Sequence, residues 1–149
     1  MPAYTIKPLV TATATNTGGR NGHSETTDHS VSVNLSVRKE MGGPGLPDTT
    51  TPEHLFAASY AACFGGAIDF VAHQHKKNGS GTAVTCSTSV GPREGGGFGI
   101  AVKMQVKMPN LPVEEARALV QEAHEKVCPY SHATRGNIDF ELEVEGAQP

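Results

Sequence analysis

Three cysteines, Cys63, Cys86 and Cys128, are the side chains in this sequence with the most chemistry to offer. A thiolate attacks peroxides and disulfides, whereas a protonated buried thiol is a small inert hydrophobe. Cys63 lies in the most apolar part of the chain, in the middle of a helical stretch. It gets no help there from a helix N-terminus, and burial raises a thiol above its free pKa of ~8.5. It reads as core, or as a nucleophile that needs a cation brought in from elsewhere. Cys128 ends a second helical pattern, where the partial negative charge of the helix disfavours a thiolate. It reads as core or as a second thiol, placed at a flexible boundary before Pro129. Cys86 shares strand parity with Val84 and Val90 and is expected in the core. A Cys63–Cys128 redox pair is one of several readings that spacing leaves open.

Other chemistries find less support. His73 and His75 are two residues apart on a helix, so they point to different faces. His124 and Cys128 share a face at i, i+4 but have no further ligands at suitable spacing, so no metal is expected. The Gly-rich segments lack both a G-K-[ST] ending and the strand–GxGxxG–helix setting, and they read as turns. An odd cysteine count without a C-x-x-C argues against a disulfide scaffold or a zinc ribbon.

The elements that must position these residues follow from periodicity. Tyr4, Ile6, Val10, Ala12 and Ala14 share one parity and run to Gly18-Gly19-Arg20-Asn21-Gly22. Val31, Val33, Leu35 and Val37 alternate with polar residues, and together the two runs predict a hairpin. Thr51-Pro52-Glu53 predicts a helix start, with the helix continuing to about Lys77. Its middle is apolar on nearly every face, which predicts a buried helix. Gly65-Gly66 within it costs ~1 kcal/mol per residue relative to Ala, a cost a helix bears where another backbone must come close. Strands are expected over 84–90, 98–108 and 138–144, with a second helix from Val113 until Pro129 limits it. The order ββαββαβ is α+β with mostly antiparallel pairing, and no linker divides the single domain, residues 1–149.

Composition sets the outer limits. The 149 residues carry 12 bases and 15 acids, a net charge of −3, with no basic cluster to suggest nucleic acid. The uncharged apolar run Leu55–Phe64 is far short of the ~18 residues of a membrane span, and no secretory signal is evident. Cytoplasm is the expected location. Leu, Ile, Val and Phe total only 29 residues and Trp is absent. So thin a core is often completed by a second subunit, and a homodimer is expected.

Two segments around the thiols resemble those of a known family. Thr-Pro-Glu-His-Leu-Phe-Ala-Ala-Ser-Tyr-Ala-Ala-Cys-Phe (51–64) resembles the first cysteine motif of the organic hydroperoxide resistance (Ohr) proteins, in the OsmC-like superfamily. Cys-Pro-Tyr-Ser-His-Ala-Thr-Arg-Gly-Asn (128–137) is similar to the second, with the tail typical of the Ohr branch. Segments 18–22 and 91–99 are also similar and fall in the same order. Thr51, His54 and Ser59 stand where Asn, Gln and Gly are often seen.

The resemblance implies an OsmC-like fold, with antiparallel sheets wrapped around central buried helices in an intertwined homodimer. It implies a thiol peroxidase that reduces organic and lipid hydroperoxides to alcohols in the response to oxidative stress. Cys63 matches the peroxidatic cysteine, Cys128 the resolving cysteine, Arg20 the arginine that supports the thiolate, and Glu53 the acid that holds that arginine. Dihydrolipoyl groups on lipoylated proteins are the implied reductant, with no bound cofactor or metal. An OsmC-type peroxidase of broader oxidant preference and a thiol redox sensor without turnover are the alternatives. A guanidinium ~4 Å from sulfur at an effective dielectric of ~20 is worth about 4 kcal/mol. At ~1.4 kcal/mol per pKa unit this lowers the thiol by up to ~3 units before desolvation. Leu55, Phe56, Tyr60, Phe64 and Phe98 are the candidate walls for an alkyl tail.

Overall fold

A computed structural model describes residues 4–148. They fall into two compact units, one running to Pro52 and the other beginning at Glu53. Each contains a three-stranded sheet.

In the first unit β1 (Ala14–Thr17), β2 (His23–Thr26) and β3 (Ser32–Asn34) form an antiparallel meander, with Thr17 opposite His23 and His23 opposite Asn34. This corrects the expected hairpin, because β2 lies between the two predicted strands. Gly18 and Gly19 take φ of +85° and +63°, reversing the chain so tightly that the residues immediately following, not Val31–Val37, pair with β1. Residues 4–13 alternate like a strand yet form none. Ile6, Leu9 and Val10 are 73%, 97% and 89% exposed.

In the second unit α1 (Pro52–Gln74) starts where Thr51-Pro52-Glu53 predicts. It stops three residues earlier than expected, in a Schellman closure. Lys76 takes φ of +54°, its N–H donates to the His73 carbonyl, and the Lys77 N–H donates to that of Ala72. Strands β4 (Ala83–Pro92) and β5 (Phe98–Lys107) pair antiparallel, Val84 opposite Val106 and Val90 opposite Ile100. The last strand, β6 (Asp139–Glu145), pairs with β5 in parallel, so this sheet is mixed rather than purely antiparallel. Parallel pairing requires a crossover, and the helical segment between β5 and β6 supplies it.

That segment has more pieces than the single helix expected. The α-helix α2 (Val113–Glu122) is followed by one π-helical turn, Ala123–Val127, and then by α3 (Pro129–Thr134). Pro129 does end the first pattern, but its fixed φ and missing N–H also suit the first position of a new helix.

The sheet turns one face inward. Val102, Met104 and Val106 of β5 are flanked by Val84, Cys86 and Thr88 on β4 and by Phe140, Leu142 and Val144 on β6. Tyr60, Phe64, Ile68 and Val71 of α1 and Ala116, Leu119 and Val120 of α2 complete the core. The outer face is wet, with Lys103 and Glu143 in an ion pair of 3.1 Å. The helix α1 buries one side rather than all sides: Ala58, Ala62, Gly66 and Phe70, four residues apart, are exposed. It is long and apolar enough to cross a membrane by length and composition, with a mean hydropathy of 1.5, yet its apolar side packs on the sheet. A Cβ on Gly65 would touch only the Val84 side chain, and one on Gly66 would meet nothing. Among the described residues of the one chain, no other backbone comes close to this pair.

Candidate active site

The two thiols singled out in the sequence meet. Cys63, in the middle of α1, and Cys128, between the π turn and α3, are both free, with their Sγ atoms 3.7 Å apart and the Cys128 thiol donating to Cys63. Cys128 is fully buried, whereas Cys63 is partly exposed. The third thiol, Cys86, belongs to the wall of the core, 3.7 Å from the Thr88 hydroxyl.

Burial pushes the Cys63 thiol above its ordinary value, and a hydrogen bond from the Tyr130 backbone N–H pulls it back. That donor corrects the expectation that Cys63 lies beyond any helix N-terminus. The help comes from the first turn of α3, a helix the sequence did not reveal. Cys128 is likewise more than a helix C-terminus. Its N–H closes the π turn onto the Ala123 carbonyl at 2.8 Å, and with φ −65° and ψ 117° it also serves as the N-cap of α3. Single π turns of this kind are found disproportionately at functional sites.

Beneath the sulfurs runs a buried polar network. The Tyr60 hydroxyl, one helical turn before Cys63, is 2.8 Å from Ser131 Oγ and 3.1 Å from Thr134 Oγ1. Ser131 Oγ is also 2.8 Å from His124 Nδ1. The His124 ring stacks on Phe140 with centroids 4.4 Å apart and planes 6° from parallel. Arg135 donates to the His124 carbonyl at 2.8 Å. Burial, and secondarily the Arg135 charge, hold the His124 imidazole below its ordinary pKa, so the neutral ring is favoured. Sequence reasoning considered His124 only as a metal ligand and did not find this network. Two signals were present: a tyrosine hydroxyl inside an apolar helix three residues before Cys63, and a histidine beside the apolar stripe of the second helix. A buried polar group of either kind demands a partner.

The candidate substrate walls divide. Tyr60 and Phe64 are fully buried core. Phe56 and Phe98 line a cavity of about 470 Å³ together with Ile100 and Ile138, and with the polar side chains of Arg93, Thr134, Asn137 and Asp139. Phe56 also meets Tyr60 edge to face at 5.8 Å and lies 6.3 Å from the Tyr130 ring. Aromatic side chains thus lead from this cavity toward the α3 residue that donates to Cys63.

The two charged candidates are carried by other segments. Glu53 is in the first turn of α1, which runs unbroken to Gln74. Ten residues at ~1.5 Å rise place it roughly 15 Å along the axis from Cys63. Arg20 occupies a short 3₁₀ turn, Gly19–Asn21, in the first unit. Asn16 grips that turn, accepting from the Gly19 N–H at 2.8 Å and donating to the Gly19 carbonyl at 3.2 Å. Asn21 accepts from the Val37 N–H at 2.9 Å. A Cβ at Gly22 would collide with the Thr17 carbonyl. The Gly-Gly-Arg-Asn-Gly run is thus explained as the mount that holds Arg20.

Comparison with known proteins identifies the family. The family model for OsmC-like proteins matches residues 43–143. An organic hydroperoxide resistance protein of Xanthomonas axonopodis pv. citri (strain 306) is 49% identical over 137 residues, covering 91% of this chain and 94% of its own length. A crystal structure of an organic hydroperoxide resistance protein from Legionella pneumophila superposes with a TM-score of 0.87 at 45% identity, over 93% of this chain and 99% of that one. A putative organic hydroperoxide resistance protein from Vibrio cholerae O1, with captopril bound in one of its active sites, gives 0.88 at 43% identity and 96% coverage of both chains. With both thiol motifs, the α+β architecture and these likenesses in agreement, the chain belongs to the OsmC-like family, in its organic hydroperoxide resistance branch.

Proposed function

We propose that this protein is a cysteine-based peroxidase that reduces organic hydroperoxides to alcohols and so protects against them. The observation that carries this reading is the pair of free thiols 3.7 Å apart at the junction of α1, the π turn and α3. Its relatives bear the name of organic hydroperoxide resistance, which supports the substrate class.

In the proposed cycle the Cys63 thiolate attacks the distal oxygen of ROOH. The O–O bond breaks, the alkoxide takes a proton and leaves as ROH, and sulfur is oxidised to sulfenic acid. The Cys128 thiol then attacks that sulfur, water departs, and a Cys63–Cys128 disulfide forms before over-oxidation. An external dithiol, which we take to be a dihydrolipoyl group on a lipoylated protein, reduces the disulfide by exchange and is itself oxidised to the cyclic disulfide. A reducing compartment, the cytoplasm, keeps both thiols available between turnovers. No bound cofactor is required by this balance.

Arg20 is assigned the task of offsetting the burial that opposes the Cys63 thiolate, and its donors also suit the developing alkoxide. Glu53 is assigned to orient Arg20 through a bidentate pair. Because an unbroken helix sets Glu53 roughly 15 Å along the axis from Cys63 in one chain, we assign Arg20 and Glu53 to the sulfur of the partner subunit in a homodimer. Two features support a second copy: the exposed apolar residues Ile6, Leu9 and Val10, and the exposed Ala58, Ala62, Gly66 and Phe70 stripe on α1. Apolar exposure of this kind is common at interfaces. The cavity lined by Phe56 and Phe98 is the proposed seat of the alkyl or acyl tail.

One experiment tests the reading. Reduced protein is treated with one equivalent of cumene hydroperoxide, the product is mapped by mass spectrometry, and turnover with dihydrolipoamide is then followed. The expected result is a Cys63–Cys128 disulfide and many turnovers. A disulfide without turnover would mark a sensor, and no oxidation would mark an inert scaffold.

A further inference from the structure

The network joining Tyr60, Ser131, Thr134 and His124 has no role in the chemistry set out above, yet its side chains are among the most deeply buried polar groups in the second unit. Ser131 and Tyr60 are fully buried, and Thr134 and His124 nearly so. Such groups are costly to bury and are most useful where they fix one arrangement among several. This network ties three elements together by their side chains. Tyr60 is on α1, one turn from Cys63. Ser131 and Thr134 are on α3, which starts directly after Cys128 and supplies the Tyr130 N–H bonded to Cys63. His124 is in the π turn that ends at Cys128. Phe140 of β6 holds the imidazole ring flat, and Arg135 holds the carbonyl of the same residue.

We infer that Tyr60, Ser131 and His124 are positioning residues for disulfide formation, clamping the Cys128 turn to α1 so that the resolving sulfur stays within 3.7 Å of Cys63. The inference rests on the peroxidase reading and adds the step that the network serves. The first reaction, of Cys63–S⁻ with ROOH, does not use the Cys128 sulfur. The second, Cys63–SOH with HS–Cys128 giving a disulfide and water, requires the two sulfurs to approach by a further ~1.7 Å to reach bonding distance. It competes with attack of a second ROOH, which yields Cys63–SO₂H and ROH. A loosened turn lowers the local concentration of Cys128 and shifts that competition toward over-oxidation, leaving the first step unaffected.

The test compares Tyr60→Phe and His124→Leu, which cut the network from opposite ends, with His124→Asn, whose amide can replace Nδ1 toward Ser131. Reduced proteins are exposed to graded cumene hydroperoxide. The rate of Cys63 oxidation is followed by sulfenic-acid trapping, and the disulfide-to-sulfinate ratio by intact mass. The expected result is an oxidation rate within about twofold of the unsubstituted protein in every variant. Disulfide formation slows at least tenfold in Tyr60→Phe and His124→Leu, with a matching rise in sulfinate, and is restored in His124→Asn. A merely structural role would lower the melting temperature without moving this ratio. Ser131→Ala, which removes one oxygen at the centre of the network, gives the same direction and serves if the larger changes impair folding. An unchanged ratio in folded variants overturns the inference alone. If Cys63 of the unsubstituted protein resists the peroxide, the peroxidase reading fails, and the inference with it.

Discussion

Tyr60→Phe removes one oxygen atom, and the structure sets what that costs. The hydroxyl is fully buried and makes two hydrogen bonds, 2.8 Å to Ser131 and 3.1 Å to Thr134. Ser131 keeps His124 as a partner after the substitution, while Thr134 loses this one. Each bond contributes about 1 kcal/mol net, so the loss is about 2 kcal/mol. For a chain of this size that lowers the melting temperature by roughly 4–8 °C. Ser131→Ala cuts the bond to Tyr60 as well as the one to His124, at a similar cost. Because the Tyr60–Ser131 bond is common to both, the double variant should lose about 1 kcal/mol less than the sum of the single changes. The assay is thermal and denaturant unfolding of the reduced proteins at one fixed concentration, since a dimer makes stability depend on concentration. Strict additivity, or a neutral Tyr60→Phe, would refute the picture of one connected network.

Three further outcomes are expected. Since the folded state holds His124 below its ordinary value of 6.5 by burial and the Arg135 charge, its contribution to stability is complete above that value and is lost as pH falls through the lower folded value. As pH falls below 6.5 the unsubstituted protein should therefore lose stability more steeply than His124→Asn, and equal slopes would contradict this. Mixing an Arg20→Ala chain with a Cys63→Ser chain should restore peroxidase activity in heterodimers that have one complete site, and no recovery would place Arg20 and Cys63 of the same chain together. Catalytic efficiency should be much higher for cumene hydroperoxide than for hydrogen peroxide, because Phe56, Phe98, Ile100 and Ile138 give an apolar tail side chains to bury against on one part of the cavity wall. Similar efficiencies would remove that cavity from the account.

Local patterns revealed the second unit far better than the first. The alternation at Val84–Val90, Ile100–Val106 and Ile138–Val144 marks strands because one face of that sheet is core and the other is wet, and the register of β4, β5 and β6 follows it. The strand β2, His-Ser-Glu-Thr, has no apolar residue and buries no face, so no period-two signal could reveal it. Residues 4–13 carry that signal without a strand to show for it, since pairing depends on a partner edge that local pattern does not specify. Pro129 was legible as an end but not as a beginning, although the same ring geometry serves both. The parallel pairing of β6 is a matter of topology and leaves no trace in residue order.

At the site, the two thiols were found from their types and their motifs, but their 3.7 Å approach depends on the π turn and α3. A π turn inserts one residue into an α-helix and rotates all that follows, which a 3.6-residue pattern cannot signal. The Tyr60–Ser131–His124 network was hidden for a related reason. Its members are 71 and 7 residues apart in sequence, and each is unremarkable until folding brings them together.

The most direct test of the account is the titration of Cys63, followed by the rate of alkylation at that residue against pH in the unsubstituted protein and in Arg20→Ala. Within its own unit burial raises this thiol, so a guanidinium must supply the compensating charge. The expected midpoint lies below neutrality and climbs by up to ~3 units when Arg20 is removed. A Cys63 that stays protonated well above pH 7, with the same midpoint in Arg20→Ala, would contradict it.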